Sequence, residues 1–454
     1  MATLAERLAT WVAGLEPGDV PPAETERARL RLLDTLGLAV VAHDTEAARI
    51  GREVAATNAA AGAATLLGGT ARIAPGWAAF AHGIAAHCRD FDDTFTDSVV
   101  HPGSVVVPVA IAVGEAVAAP APALEAAIAV GYEVAGRLGA AAGRKFHANG
   151  FHATGTVGPF AAAATAAKLY GLDAGALVHA WGLAGSMAGG LMEFMRDGSW
   201  SKWLHPGWAA HGGILAVDLA KRGFRGPASV LEGDHGFFAA FLGRGEADTV
   251  AIGDNLGRYW KGGAAHFKYY PCAHVIQPYL DAALALTGEH RLDVAEIEAV
   301  TCWLAPWAVP IVAEPRAPKL APATELDAIA SLPFQVAAAL TDRRVDLGTL
   351  TPESRARPGV RALAAKVACV ADPALGHAFD GRLALGLRSG RTLEAGVVSA
   401  PPEAARVRQK FLANARGLGE REARAVADSL ASGRPYAIAT ILALVNEALR
   451  RRRA

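Results

Sequence analysis

The chain has 454 residues, of which 52% are hydrophobic and 19% charged, and its 44 basic residues balance its 44 acidic residues. This composition excludes a disordered chain. The neutral balance gives no bulk electrostatic reason to bind nucleic acid or an anionic membrane, so we expect neither partner. At this length two domains are the default expectation.

Apolar residues recur at helical spacing through the first half of the chain. This pattern predicts helices over 2–18, 23–42, 46–59, 74–88, 105–118, 122–143, 153–170, 174–189 and 206–223. Ser104 is expected to cap the helix that begins near Val105. The density of small residues favours close helix packing, and nothing before about residue 260 predicts a strand-rich fold.

The pattern changes near residue 264. Alternating runs predict strands over 297–304, 365–370, 382–387 and 392–398, and the last two flank a hairpin turn at 388–391. Helices are predicted over 275–287 and 331–340, and again over 403–416, 420–431 and 436–452. We therefore expect a helical segment over 1–264, an α+β domain over 265–400 and a second helical segment over 401–454.

The cysteines are far apart and show no zinc or cluster spacing, which favours free thiols in a reducing compartment. The N-terminus has Glu6 and Arg7 inside an amphipathic pattern and lacks the features of a signal peptide. The apolar stretch 105–134 is interrupted by prolines and glutamates, as in a buried helix. We expect a cytoplasmic protein.

An acidic stretch, 89–107, lies between two long Ala-rich segments. It holds four aspartates and His101, followed by Pro-Gly-Ser. Such a cluster is costly to place against a core unless its charges find partners. Candidate partners occur at 151–158, 197–213 and 267–274, and we interpret the four stretches as walls of one pocket.

Two lysines in these stretches, Lys202 and Lys268, have aromatic neighbours in loop-like sequence. A lysine in such a setting keeps its charge only near an anion, although a snorkelling lysine is the ordinary alternative. The histidines that are candidate proton carriers also have structural alternatives, and they are His101, His152, His205 and His274.

Other chemistries fit the sequence poorly. His82 and His87 do not share a helix face well, and there is no H-E-x-x-H, Walker or G-x-S-x-G motif. We therefore expect no metal and no cofactor. Carboxylates, histidines and lysines together suit a small polyanionic acid, whose carboxylates lysines would hold while an acid or base moves a proton.

Several motifs, taken together and in order, resemble the MmgE/PrpD family. They are DFDDT (90–94), HPGSVVVP (101–108), GYEVAGRLG (131–139), FHATGTVGPFAAAA (151–164), DGSWSKWLHPGWAAHGG (197–213), GFRGPASVLEG (223–233), FKYYPCAH (267–274) and SLPFQVAAAL (331–340). The resemblance implies a mainly α fold, with a large all-helical domain formed by both chain ends and a smaller α+β lid domain inserted between them. It also implies a homodimer.

The resemblance further implies a set of site residues. Catalytic residues would be Asp90, His101, His152, Lys202 and Lys268; substrate-binding residues would be Thr94 and Asp93, with Tyr269, Tyr270 and His274 as weaker additions. The loop between Thr94 and His101 is one residue longer than in the family's decarboxylases and carries Asp97, so substrate fit in this loop remains open.

The leading hypothesis is a cofactor-independent lyase that acts on a small di- or tricarboxylic acid, by 2-methylcitrate or citrate dehydration or by cis-aconitate decarboxylation. Lys202 and Lys268 would clamp carboxylates, His101 and His152 would move protons, and Asp90 would orient a histidine or lysine. One alternative is an isomerase that epimerises an imino- or amino-dicarboxylate. Another is a non-catalytic protein that binds carboxylic acids.

Overall fold

A computed structural model describes residues 2–376, 379–398 and 403–452. The chain divides into two compact units, the first formed by Met1–Phe267 with Glu403–Ala454 and the second by Lys268–Pro402. Helices dominate, so the expectation of a mainly α protein is confirmed. No described helix is both long and apolar enough to cross a membrane.

The first unit contains most of the helices. They are α1 (Leu4–Gly14), α2 (Pro22–Val41), α3 (Glu46–Asn58), α4 (Pro75–His87), α5 (Gly103–Ala116), α6 (Ala121–Ala142), α7 (Lys145–Ala148), α8 (Ala153–Tyr170), α9 (Ala174–Ala184), α10 (Ser201–Lys221) and α11 (Phe237–Leu242). Two short antiparallel pairs join β1 (Ala61–Thr65) to β2 (Arg72–Ile73) and β3 (Thr94–Phe95) to β4 (Ala265–His266).

Helix α10 begins at Ser201, five residues before the predicted start. The prediction began the helix at Pro206, and proline is common in a first turn. In the structure Pro206 lies inside the helix. The correction moves Lys202 and His205 from a loop onto neighbouring turns of one helix.

Small residues let α10 approach α8 closely. A Cβ at Gly213 would lie 2.7 Å from the backbone nitrogen of Ala163 and 2.3 Å from the Cβ of Ala162. Glycine is therefore required at this crossing. The contact fixes α10 against the helix whose first turn follows His152.

The second unit combines a sheet with short helices. The helices are α12 (Gln277–His290), α13 (Val309–Val312), α14 (Arg316–Leu320), α15 (Glu325–Ile329), α16 (Leu332–Asp342), α17 (Pro352–Ala356) and α18 (Pro358–Ala365). The strands are β5 (Ile297–Leu304), β6 (Val367–Ala371), β7 (Gly381–Leu387) and β8 (Thr392–Val397), in the order β6-β5-β7-β8. Strand β5 pairs parallel with β6 and antiparallel with β7, and β7 and β8 form the predicted hairpin.

The chain returns to the first unit through α19 (Ala404–Asn414), α20 (Glu420–Ala431) and α21 (Ile438–Arg451). Lys410 on α19 is buried, and its ammonium lies 2.7 Å from Asp34 Oδ1 on α2. The ammonium also donates to the backbone oxygen of Phe91, at 2.7 Å, and lies 4.0 Å from the centre of its ring. A cation from the C-terminal segment thus anchors the acidic stretch.

Replacing Lys410 with methionine is expected to lower the free energy of unfolding by about 3 kcal/mol or more, because Asp34 would remain buried without its cation. Urea unfolding of both proteins measures the difference. Lys145→Met is the matched control, since it breaks an exposed ion pair to Glu246 and should change stability little. Equal effects of the two substitutions would contradict this account.

Candidate active site

The acidic turn connects the end of α4 to the start of α5. Asp90 and Val99 have positive φ angles of 46° and 58°, a region that residues with a Cβ rarely occupy. A β-branched residue such as Val99 is especially unfavourable there. Backbone strain of this kind persists only where surrounding contacts enforce it, and it is concentrated at functional sites.

Asp93 is held on both carboxylate oxygens. Its Oδ1 accepts from the backbone nitrogen of Gly103 at 2.9 Å, and its Oδ2 accepts from the hydroxyl of Tyr132 at 2.6 Å. A Cβ at Gly103 would lie 2.6 Å from Oδ1, so glycine is required. Burial raises the pKa of the Asp93 carboxyl to about 6, against the opposing hydrogen bond from Tyr132.

These contacts correct the prediction that Ser104 caps α5. Asp93, not Ser104, supplies the acceptor at the first turn of α5, and the Ser104 hydroxyl instead donates to the backbone oxygen of His101 at 3.3 Å. Both Asp93 oxygens have protein partners, and the role of Asp93 in substrate binding stays a prediction.

Asp90 and Lys202 form a buried ion pair. The Lys202 ammonium lies 2.8 Å from Asp90 Oδ1, and both side chains are buried. The first turn of α10 supplies the lysine. The expected pairing of the acidic stretch with a cation from 197–213 is therefore present in the structure.

His101 has a defined tautomer. Its Nδ1 lies 3.0 Å from the backbone oxygen of Asp93 and 3.1 Å from the Thr94 hydroxyl. A carbonyl oxygen only accepts, so Nδ1 carries a proton and Nε2 is the nitrogen that gains or loses one. The main chain of His101 is fixed as well, since its nitrogen donates to Thr154 Oγ1 at 3.0 Å.

His152 and His205 share a hydrogen bond between their Nδ1 atoms, at 3.0 Å. Burial lowers the pKa of His205 to about 4, assisted by His87 and Lys202. Burial likewise holds the pKa of His152 well below its usual range, and the charge of Lys202 adds to the effect. Both imidazoles are therefore neutral near pH 7, and one of the two donates to the other.

One contact between an aspartate and a histidine involves two residues that were not predicted as site residues. His87, the last residue of α4, lies with its Nδ1 2.8 Å from Asp92 Oδ2. Its ring centre is 5.0 Å from that of His101 and 5.8 Å from that of His152. The available sequence signal was an i, i+5 histidine–aspartate spacing across a helix end, which indicates proximity only once the turn geometry is known.

Four side chains at this turn resemble a metal ligand set. One ligand atom from each of His87, Asp90, Asp92 and His101 lies within 4.8 Å of the others. However, Lys202 already places its ammonium on Asp90, and the contact of His87 Nδ1 with Asp92 requires a proton between them. In this arrangement protons occupy the positions that a cation would need, so the side chains fit a hydrogen-bonded network better than a metal centre.

The remaining predicted residues belong to the second unit and are described within it. Lys268 is buried, and Tyr269 and Tyr270 are partly buried. Gln277 fixes the two tyrosines, since its Oε1 accepts from the backbone nitrogens of Tyr269 and Tyr270 at 2.8 and 3.0 Å. A glutamine with this role was not predicted.

Two side chains of this segment have further defined contacts. The Tyr270 hydroxyl donates to Asp281 Oδ1 at 2.7 Å. The buried His274 packs its ring 5.4 Å from that of Phe379. The first unit therefore gathers Asp90, Asp93, Thr94, His101, His152 and Lys202, whereas Lys268, Tyr269, Tyr270 and His274 lie in the second unit.

Comparison with known proteins identifies the family. The profile of the MmgE/PrpD N-terminal domain matches residues 6–249, and that of the MmgE/PrpD C-terminal domain matches residues 270–432. The chain belongs to the MmgE/PrpD family. The resemblance inferred from its motifs is thereby confirmed.

Curated relatives of this MmgE/PrpD chain include cis-aconitate decarboxylases. The human protein is 33% identical over 247 residues, which are 53% of this chain and 51% of the human one, so the match spans about half of that relative. The mouse protein is 28% identical over 84% of this chain and 78% of its own. A cis-aconitate decarboxylase-like protein of Aspergillus oryzae is 25% identical over 85% of this chain and 84% of its own.

The lowered pKa of His205 predicts a pH effect on stability. Between about pH 6.5 and 4 the unfolded chain binds a proton on this residue and the folded chain does not, so the free energy of unfolding falls as the pH falls. His205→Gln should therefore weaken the loss of stability between pH 7 and pH 5, as measured by urea unfolding. His290→Gln, at an exposed position, is the control, and an unchanged pH dependence in His205→Gln would refute the assignment.

Proposed function

We propose that this protein is a cofactor-independent lyase that decarboxylates cis-aconitate or a closely related unsaturated polycarboxylic acid. The observation that carries the proposal is the buried Lys202–Asp90 pair beside the imidazoles of His87, His101, His152 and His205. The names of the relatives support decarboxylation over the other reactions expected of the family.

The reaction has a small set of chemical requirements. In cis-aconitate one carboxylate is borne by a carbon next to the double bond. When the bond to that carboxylate breaks, its electron pair forms a new double bond, and the former double-bond pair moves to the carbon beside another carboxylate. Carbon dioxide leaves and that carbon takes up one proton. A cation to stabilise the enolate-like charge and a proton donor are therefore sufficient.

Lys202 is the proposed cation. A buried ammonium in a site of low dielectric constant interacts strongly with a carboxylate, and Asp90 holds it in place until substrate arrives. His101 and His152 are the proposed proton carriers, with Thr94 and the Asp93 backbone oxygen orienting His101. Lys268 is retained as a proposed carboxylate ligand, and Tyr269, Tyr270 and His274 as proposed substrate contacts, on the family resemblance.

Dehydration of a citrate-like hydroxy acid is the second candidate function. It also passes through a carbanion-like state, but it needs a base for the proton beside the carboxylate. The His152–His205 pair is neutral near pH 7 and therefore has an unprotonated nitrogen that can accept this proton. Substrate identity therefore has to be tested directly.

Proton NMR in deuterated buffer identifies the reaction, with enzyme added to cis-aconitate, citrate, 2-methylcitrate and aspartate-derived acids. The expected result is an itaconate-type methylene from cis-aconitate, with one deuterium on the carbon that was protonated. New vinylic signals from a hydroxy acid would indicate the dehydratase instead. Exchange of an α-proton with the skeleton intact would indicate an epimerase, and saturable binding without exchange a non-catalytic protein.

Lys202→Met is expected to lower kcat/KM for the substrate found by about 100-fold or more, because the developing negative charge loses its cation. The control is the double variant Lys202→Met with Asp90→Asn, which removes the charge pair without leaving a buried aspartate unpaired. Under this account the double variant stays inactive. Recovery of activity in the double variant would show that Lys202 has only a structural role.

We also propose that the protein forms a homodimer in which the exposed face of α10 contacts a second copy. Six of the fourteen exposed large hydrophobic residues of the described chain fall between 191 and 215. Leu204, Trp208 and Leu215 on the helix that carries Lys202, and Trp200 at its N-cap, are all more than 40% exposed. An exposed group of large apolar side chains is typical of an isologous interface.

Replacing Trp208 with glutamate is expected to convert the dimer to a monomer, because each copy would bury a charge against its symmetry mate. Light scattering coupled to size-exclusion chromatography measures the mass. Val250→Glu, at an exposed apolar position outside this face, is the control and should remain dimeric. A wild-type monomer, or a dimer unaffected by Trp208→Glu, would contradict the proposal.

A further inference from the structure

His87 and Asp92 lie at the centre of the histidine cluster, yet the proposed reaction gives neither a role. His87 Nδ1 is 2.8 Å from Asp92 Oδ2, and the two side chains are 0% and 1% exposed. Because an ionised carboxylate only accepts, His87 Nδ1 carries the proton of this contact. The opposite nitrogen, Nε2, is then the atom that exchanges protons.

His87 Nε2 is buried and has no hydrogen-bond partner among the described residues, and the same holds for His152 Nε2. The two rings are 5.8 Å apart. Buried polar nitrogens are almost always hydrogen-bonded in folded proteins, so two neighbouring nitrogens without protein partners indicate that a ligand supplies the missing contacts. His87 therefore faces the position where a polar substrate group would bind.

Decarboxylation consumes one proton, and the histidines of the cluster differ in their capacity to supply it. The lowered pKa values of His152 and His205 leave both neutral near pH 7. His87, in contrast, has a carboxylate as the partner of its Nδ1, which orients the ring and leaves Nε2 as the exchanging nitrogen. A histidine that a buried aspartate orients, and whose other nitrogen has no protein partner among the described residues, suits the role of proton donor.

We propose that His87, oriented by Asp92, is a further catalytic residue that delivers the proton consumed by the decarboxylation. The inference rests on the proposed function. As carbon dioxide leaves, the electron pair that reaches the carbon beside the second carboxylate bonds to the proton of Nε2–H. The imidazolium becomes a neutral imidazole that keeps its Nδ1–H on Asp92. After product release a proton from solvent returns to His87 through the neighbouring proton carriers His101 and His152.

Several charged or titratable groups surround His87. Asp92 is the nearest; the others are Asp90, Lys202, His101, His152 and His205, with the Asp34–Lys410 pair behind Asp92. Lys202 is neutralised by Asp90, and Lys410 by Asp34. Asp92 is therefore the carboxylate that acts most directly on His87.

The test compares His87→Gln and Asp92→Asn with wild type, using cis-aconitate and following kcat and the Kd for substrate. His87→Gln should lower kcat at least 100-fold, as expected for loss of a general acid, while the calorimetric Kd for substrate changes less than threefold. Asp92→Asn should lower kcat about tenfold or more. Its Kd for substrate should also change less than threefold, because Asp92 orients His87 and does not bind the substrate itself.

The matched controls are His179→Gln on α9 and Asp218→Asn on α10. Neither residue contacts the cluster through a described hydrogen bond or ring contact. Both variants should therefore behave as wild type. Wild-type kcat in both test variants, or a Kd that weakens as much as kcat falls, would overturn the role of His87. If His87→Gln does not fold, as judged by circular dichroism, the comparison of kcat with Kd in Asp92→Asn decides. A wild type that turns over no polycarboxylate would instead refute the proposed function, and the role of His87 with it.

Discussion

Three carboxylates buried in one turn impose the constraint on which this structure depends. A buried carboxylate is tolerated only when it is paired, and each of the three has its own partner. Asp90 has Lys202, Asp92 has His87, and Asp93 has the Gly103 nitrogen with the Tyr132 hydroxyl. Pairing therefore ties the turn to the helices α4, α5, α6 and α10.

The C-terminal segment completes the same arrangement. Lys410 on α19 reaches the backbone oxygen of Phe91, between Asp90 and Asp92, while its charge is balanced by Asp34. Residues from both helical segments of the chain thus lie around the acidic turn, and the helices position the side chains that pair with it. A site built this way is already organised before a ligand arrives, which is the condition for effective electrostatic stabilisation of a transition state.

The pairing also gives the histidines different surroundings. Within the described part of the chain His152 and His205 hydrogen-bond to each other and to no carboxylate, and burial lowers the pKa of both. His87 contacts a carboxylate, and a backbone oxygen fixes the tautomer of His101. Four similar side chains within one cluster therefore have four different sets of hydrogen-bond partners.

Much of this could be predicted from the sequence. The helical periodicity and the alternating runs near 297–304 and 381–397 depend on local burial patterns, which the sequence displays directly. The pairing of the acidic turn with the Lys202 cation was predictable because a buried carboxylate is destabilising unless a cation or hydrogen-bond donor contacts it. The start of α10 was not, because Pro206 is compatible with either a first turn or a helix interior, and packing decided between them.

The misjudged details of the site all depend on turn geometry. Ser104 has the residue type of a helix cap, but the close approach allowed by Gly103 gives that position to Asp93. His87 and Asp92 are in contact only because the chain reverses at Asp90. The positive φ of Asp90 is not predicted by any local sequence pattern. Strained turns at functional sites are where tertiary contacts override local preference.

A crystal structure with bound tricarballylate, the saturated analogue of cis-aconitate, tests the central claim most directly. The account predicts that one carboxylate of the analogue contacts the Lys202 ammonium and that the ligand lies within hydrogen-bonding distance of His87 or His152 Nε2. An analogue bound elsewhere, with the Lys202–Asp90 pair and the histidine cluster untouched, would contradict the claim that this turn is a carboxylate-binding active site.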